Sequence, residues 1–207
     1  LIELFEVLDT PNDKRDPYLD DELASFPYVN GGMFAEKNIE IPKFTDELRE
    51  LLLQHASSGF DWPDISPTIF GAVFESTLNP ETRRSGGMHY TSIENIHKVI
   101  DPLFLNDLKD ELNEIRQFKQ IKTVEQRAKQ FQSKLASLTF FDPACGSGNF
   151  LTETYISLRK LENEAIKLYM GDNIAFDLGQ DLVKVKLNQF YGIEINDFAV
   201  SVAKTAL

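Results

Sequence analysis

Apolar positions along this chain follow a three-to-four spacing over most of its length, with shorter continuous runs near 138–142 and 190–195. From 1 to 65, polar turns such as "DTPNDKRDP" and "VNGG" separate short apolar pieces, and "TDELRELLLQHAS" puts Leu48, Leu51 and Leu52 on one helical face, so this part is expected to be helical and irregular. In "DISPTIFGAVFESTL", Ser66 can cap, Pro67 suits the first helical position, and Ile69, Phe70, Val73 and Phe74 form an apolar stripe. That helix should stop near Asn79-Pro80, because the residue before a proline avoids helical angles. After the loop "NPETRRSGGMHYTS", a helix is expected to start near Thr91 or Ser92, with Ile93, Ile96, Val99 or Ile100, and Leu103 facing inward and Pro102 kinking or ending it. Leu108, Leu112 and Ile115, then Val124, Ala128, Phe131 and Leu135, predict two helices paired as a hairpin over 106–137.

The pattern changes after Leu138. "LTFFD" is a short apolar run ending in an acid, a glycine turn follows, and Phe150, Leu151, Thr154, Tyr155, Leu158 and Leu161 mark an amphipathic helix. Beyond "LVKVKLNQ", the β-branched and aromatic content of "FYGIEI" predicts a buried strand, and "NDFAVSVAKTAL" resumes helix with Asp197 in its first turn. The order β-α-β-α predicts an α/β fold with a parallel sheet and a right-handed crossover.

Composition narrows the function classes. A net charge of −12 over 207 residues excludes a self-sufficient nucleic-acid clamp, which needs surplus Lys and Arg; if DNA is the substrate, other parts must hold most of it. No apolar run approaches the roughly 18–20 residues of a membrane span, and the N-terminus lacks a signal-peptide pattern, so a cytoplasmic location without membrane partners is expected. One cysteine, Cys145, excludes an internal disulfide, and three scattered histidines give no zinc spacing. A start at Leu1 and a stop at Leu207 within a helical pattern suggest part of a longer protein.

The stretch "DPACGSGNF" carries the chemistry. A strand ending in a glycine turn that feeds a helix directs backbone N–H groups and the positive end of a helix dipole to one place. Gly146 and Gly148 can take backbone angles closed to other residues, and Ala144 and Ser147 keep bulk low. A dinucleotide fingerprint would have Gly or Ala where Leu151 stands, and pyrophosphate would not tolerate Asp142 at the turn's entrance. A carboxylate there suits a ligand carrying a cation, such as a sulfonium nucleoside with an amino-acid tail. Glu194, expected at the tip of the next strand, has acceptor capacity for both hydroxyls of a ribose.

"DPACGSGNF" and "GIEIND" resemble the cofactor motifs of class I S-adenosylmethionine-dependent methyltransferases acting on the adenine amino group (N6) in DNA, and "GGMHYTS" resembles the motif that precedes the glycine turn in circularly ordered members. "FPYVNGGMF" and "FDWPDISPTIFGAVFE" resemble the helical spacer of large type II restriction-modification enzymes of the MmeI-like group. The resemblance implies a helical spacer over 1–85 and the first half of a Rossmann-like class I methyltransferase sheet over 86–207. It implies S-adenosyl-L-methionine as cofactor: Asp142 near its amino-acid end, backbone of Ala144, Gly146 and Gly148 lining it, and Phe150 bordering the pocket. Glu194 would bind the ribose, Ile195 would pack on the adenine, and Tyr90 and Thr91 would hold the methionine carboxylate at a helix start. Implied partners are DNA, the remaining methyltransferase and target-recognition domains, and a nuclease domain.

The chain departs from that family at one point. No Asn-Pro-Pro occurs in it, and the only Asn-Pro is Asn79-Pro80, followed by Glu81, on the wrong side of the glycine turn. In the family that motif holds a flipped adenine, so catalytic residues are expected after Leu207, with the piece itself inactive. A methyltransferase for protein glutamine or RNA shares this machinery, and a non-catalytic helical docking scaffold is the other alternative. Cys145 reads as a small turn residue, His55, His89 and His97 as surface or structural residues, Arg83 and Arg84 as a solvated pair, and Trp62 as core.

Overall fold

The computed structural model describes residues 2–29, 34–35, 43–55, 91–171 and 182–207. The helix expected over "DISPTIFGAVFESTL", Arg83, Arg84, His89, Tyr90 and Trp62 lie outside the described residues.

The N-terminal part is helical and irregular, as expected: α1 (Ile2–Asp9), α2 (Asp21–Ala24) and α3 (Asp46–Leu53) are joined by turns. Arg15 ties the first two together, its guanidinium donating to the carbonyls of Val7, Thr10, Ala24 and Phe26. Thr45 caps α3, whose Leu48, Leu51 and Leu52 are exposed.

Ser92 caps α4 (Ile93–Ile100), its Oγ accepting from the Asn95 amide at 3.4 Å. Pro102 does not end the helix. The chain passes through a π-helical turn, Asp101–Leu105, and continues into α5 (Asn106–Arg116). A wider turn suits the place where the ladder must do without proline's N–H. It also changes which residue faces inward: Leu105 is buried at 1 % exposure, whereas Leu103, expected inside, is 70 % exposed. A four-residue turn leads to α6 (Ile121–Ser137), giving the expected hairpin with Leu108, Leu112, Ile115, Ala128, Phe131 and Leu135 in the core.

Both hairpin helices pack on α7 (Asn149–Met170), the 22-residue helix that joins the glycine turn to the approach of the second strand. β1 (Phe140–Asp142) and β2 (Phe190–Gly192) pair in parallel, with Phe140 opposite Phe190 and Asp142 opposite Gly192. Phe140 and Phe190 stack at 5.3 Å, Phe104 packs on Phe140 at 5.0 Å, and Tyr155 of α7 meets Phe190 edge-on at 5.6 Å. This aromatic cluster covers one face of the sheet. The other face corrects the expectation of a buried strand: Phe141, Tyr191 and Ile193 are exposed, because side chains alternate across a strand and the described elements cover only the Phe140–Phe190 side.

The approach to β2 is organised by buried polar side chains. Glu162 of α7 is fully buried; its carboxylate accepts the Lys184 amide at 2.6 Å, the Val185 amide at 3.2 Å and Gln132 Nε2 at 2.8 Å, and pairs with Arg159. Gln132 also donates to the Leu182 carbonyl, and Tyr169 donates to Gln132 Oε1. "LVKVKLNQ" therefore runs extended into a 3-10 turn, Leu187–Gln189, that delivers Phe190 to the sheet. α8 (Asp197–Ala206) follows β2, capped by Asn196, whose Oδ1 accepts the Ala199 amide at 3.0 Å.

Candidate functional site

The glycine turn leaves β1 at Asp142 and enters α7 at Asn149. Asp142 starts it, its Oδ1 accepting the Ala144 amide at 3.0 Å. The strand pairing extends past the last ladder residues: the Ile193 amide donates to the Asp142 carbonyl and the Cys145 amide to the Ile193 carbonyl, both at 3.0 Å. Turn and strand tip are thus stitched together.

Glu194 completes the stitching. Its Oε2 accepts the Gly146 amide at 2.9 Å, while Oε1 accepts the amides of Ile195 at 2.8 Å and Asn196 at 2.9 Å. A carboxylate has about four lone-pair sites; three are engaged, leaving room for one undisturbed hydroxyl bond, with a second hydroxyl sharing or replacing the Gly146 contact. Among the described residues neither Asp142 nor Glu194 pairs with a lysine or arginine, although eight ion pairs form elsewhere. Two carboxylates without a cation beside an uncapped helix start form an electrostatically mixed site: negative where the strands end, and rich in N–H donors where α7 begins.

The two positive-φ glycines of this turn have different reasons. Gly146 has φ +54°, and a Cβ there would meet nothing within 4 Å, so its backbone conformation and open surroundings leave the turn accessible. Gly148 has φ +79° and is buried; a Cβ would lie 2.9 Å from Ala203 Cβ, so its small size serves the packing of α8 on the start of α7. Cys145 lies between the strands' ends. Burial, and then the charges of Asp142 and Glu194, push its thiol up, which disfavours the thiolate and matches a small turn residue better than a nucleophile.

The remaining expected residues are distributed as follows. Thr91 is half-buried and directly precedes the cap Ser92. Ile195 is 87 % exposed beside Glu194, available to a flat apolar ligand. Phe150 is partly buried and packs against the main hydrophobic cluster, as its place on the apolar face of the amphipathic helix predicts. His97 joins α4 to α7, with Nδ1 at 2.9 Å from Asp101 Oδ1 and Nε2 at 3.1 Å from Glu153 Oε1.

Sequence reasoning did not single out Gly192, yet a Cβ there would lie 2.6 Å from Cys145 Sγ. A glycine inside an otherwise apolar strand was the available signal. Gln189 and Glu162, which anchor the approach to β2, carried no such signal, because a polar residue on a helix or loop looks solvated until its partners are known.

Residues 118–207 match the family described as MmeI, DNA-methyltransferase domain. The chain is 41 % identical to DNA methyltransferase A of Bacillus subtilis, an alignment covering 99 % of this chain and 22 % of that protein. It is 27 % identical to a putative type II restriction enzyme and methyltransferase of Methanocaldococcus jannaschii, covering 98 % of this chain and 20 % of that one. Among solved structures, the type IIL restriction-modification enzyme MmeI in complex with DNA matches with a TM-score of 0.79 and 42 % identity over 100 % of this chain and 26 % of that one. The chain spans about a fifth of the length of these curated relatives.

Proposed function

We propose, on the premise that residues 118–207 belong to the MmeI DNA-methyltransferase family, that this chain is the S-adenosyl-L-methionine-binding part of a DNA methyltransferase that modifies adenine N6 within a restriction-modification enzyme. The observation that carries the reading is the Glu194–Gly146 hydrogen bond, which sets a strand-tip carboxylate against the amide of the glycine turn. Two carboxylates with no lysine or arginine partner among the described residues favour a ligand that brings its own positive charge. When bound, S-adenosylmethionine supplies an electrophilic methyl group on a sulfonium.

In this reading the chain's residues bind and orient. Glu194 accepts a ribose hydroxyl, Ile195 offers an apolar surface to the adenine ring, and Asp142 faces the amino-acid end. Backbone of Ala144 and Gly146 lines the ligand, and Gly148 shapes the turn. Thr91, next to the capped start of α4, contacts the methionine carboxylate, a role Tyr90 before it in sequence is expected to share. The two strands and α7 are the first part of a Rossmann-like sheet covering 86–207, with 1–85 as helical spacer. The positioned groups act through proximity and electrostatics rather than through a covalent intermediate with the protein.

Because no Asn-Pro-Pro occurs among these 207 residues, the groups that hold the flipped adenine come from elsewhere in the full-length protein, and this chain alone does not methylate. With a charge of −12, the chain leaves most DNA contacts to other domains. The test is to incubate the full-length protein with methyl-labelled cofactor, duplex DNA, RNA and protein extract, and to identify the labelled product. N6-methyladenine in DNA is expected; label confined to glutamine or RNA would refute the substrate assignment.

A further inference from the structure

The three-residue ladder between β1 and β2 is short for the task of placing Glu194 on Gly146. A slip of one residue would turn Phe190 out of the aromatic cluster and Tyr191 into it, and would move Glu194 by about 3.3 Å, beyond hydrogen-bond reach. Something outside the ladder must fix the register.

At the exit of β2 the constraint is steric. A Cβ at 192 would lie 2.6 Å from Cys145 Sγ and 3.0 Å from its Cβ, which favours glycine there. At the entrance it is polar. Gln189, immediately before Phe190, is 6 % exposed; its Nε2 donates to the carbonyls of Leu138 at 2.7 Å and Leu135 at 2.9 Å, and its Oε1 accepts the Lys186 amide at 2.8 Å. Leu138 is the C-cap of α6, two residues before β1. One buried carboxamide therefore grips the chain entering β1 with its donors and the chain entering β2 with its acceptor. The two Nε2 bonds cross from one segment to the other and a one-residue slip breaks both, while the local Lys186 bond holds the carboxamide in the orientation that makes them.

We propose that Gln189 is a positioning residue for the cofactor site: it sets the register of β2 against β1 and so holds the Glu194 carboxylate on the Gly146 amide, although it lies at the opposite end of the strand from the ligand. The inference rests on the cofactor reading given above for its ligand, but not for its geometry. An apolar replacement of similar length, Gln189→Met, leaves two carbonyls and one amide without their partner while keeping the volume.

The test uses the full-length protein and two readouts: S-adenosylmethionine affinity by calorimetry, and hydrogen exchange of the peptides spanning 143–149 and 190–196 without ligand. Gln189→Met is expected to weaken cofactor affinity at least tenfold and to speed exchange in both peptides, while the 106–137 hairpin exchanges as before. Leu112→Ala, in the hairpin core, serves as the control; it lowers the melting temperature and leaves cofactor affinity within about twofold. If Gln189→Met does not fold, Gln189→Glu, which keeps the acceptor and loses the donors, carries the same comparison. Wild-type affinity together with unchanged exchange at 143–149 would overturn the proposal, as would an equal affinity loss in Leu112→Ala. If the wild-type protein binds no S-adenosylmethionine, the cofactor reading fails, and coupled exchange of the two peptides alone decides the role of Gln189.

Discussion

Gly146 donates its amide to Glu194 Oε2 across 2.9 Å, joining the glycine turn after β1 to the tip of β2. Glu194 also holds the next two amides, so one carboxylate organises three backbone groups. Glu194→Ala removes all three acceptor contacts and the proposed ribose acceptor, and cofactor affinity should fall about a hundredfold, roughly 2.7 kcal/mol. Glu194→Gln keeps one acceptor but turns an amide donor toward backbone donors, and should lose about tenfold or more. Calorimetric titration of the full-length variants checks both values.

Gly148→Ala combines a left-handed backbone with a contact of 2.9 Å to Ala203 Cβ. The conformation costs about 1–2 kcal/mol, and α8 must shift from the start of α7. A lower melting temperature and faster hydrogen exchange in 197–206 are expected. Gly146→Ala, with the same backbone demand but open space around it, should disturb α8 exchange far less.

Glu162→Ala strips acceptors from Lys184, Val185 and Gln132 and leaves Arg159 without its carboxylate. Glu162 is fully buried but Arg159 is partly exposed and can turn to water, so the cost falls mainly on the stranded donors of Lys184, Val185 and Gln132, about 1–3 kcal/mol; the variant should show a lower denaturant midpoint, with 182–192 the first segment to exchange.

The His97 link predicts a pH dependence. Asp101, with help from Glu153, raises His97 above its ordinary 6.5, and His97, with Lys109 adding to it, lowers Asp101 below its ordinary 3.8. The histidine contribution is full below about 6.5 and is lost as pH rises through the raised value; the aspartate contribution is full above 3.8 and is lost as pH falls through the lowered one. Both are complete between those ordinary values. Thermal melts of wild type and His97→Ala should differ most at pH 5–6, by about 1–2 kcal/mol from the two lost hydrogen bonds, and the difference should narrow at alkaline pH, where the neutral ring keeps one N–H donor.

Much of this was readable from residue order. The strand, turn and helix around "DPACGSGNF", the second strand, the hairpin core and the start of α4 all follow from local periodicity and caps, which short windows contain. Of the two outcomes expected at Pro102, the ending does not occur: a π turn absorbs the proline, and that choice depends on Leu105 reaching the core. The strand around Tyr191 was expected to be buried because composition reports β-propensity, not which face is covered. Gly192, Gln189 and Glu162 owe their roles to partners 22 to 54 residues away, and no local pattern encodes such pairs.

The central claim is that the Asp142–Gly148 turn and Glu194 bind S-adenosylmethionine. Calorimetry of the full-length protein with S-adenosylmethionine and, separately, NAD tests it most directly. Saturable one-site binding of S-adenosylmethionine that Glu194→Ala weakens about a hundredfold is expected, with no binding of NAD. Affinity unchanged in both Glu194→Ala and Asp142→Ala, or tight binding of NAD in its place, would contradict it.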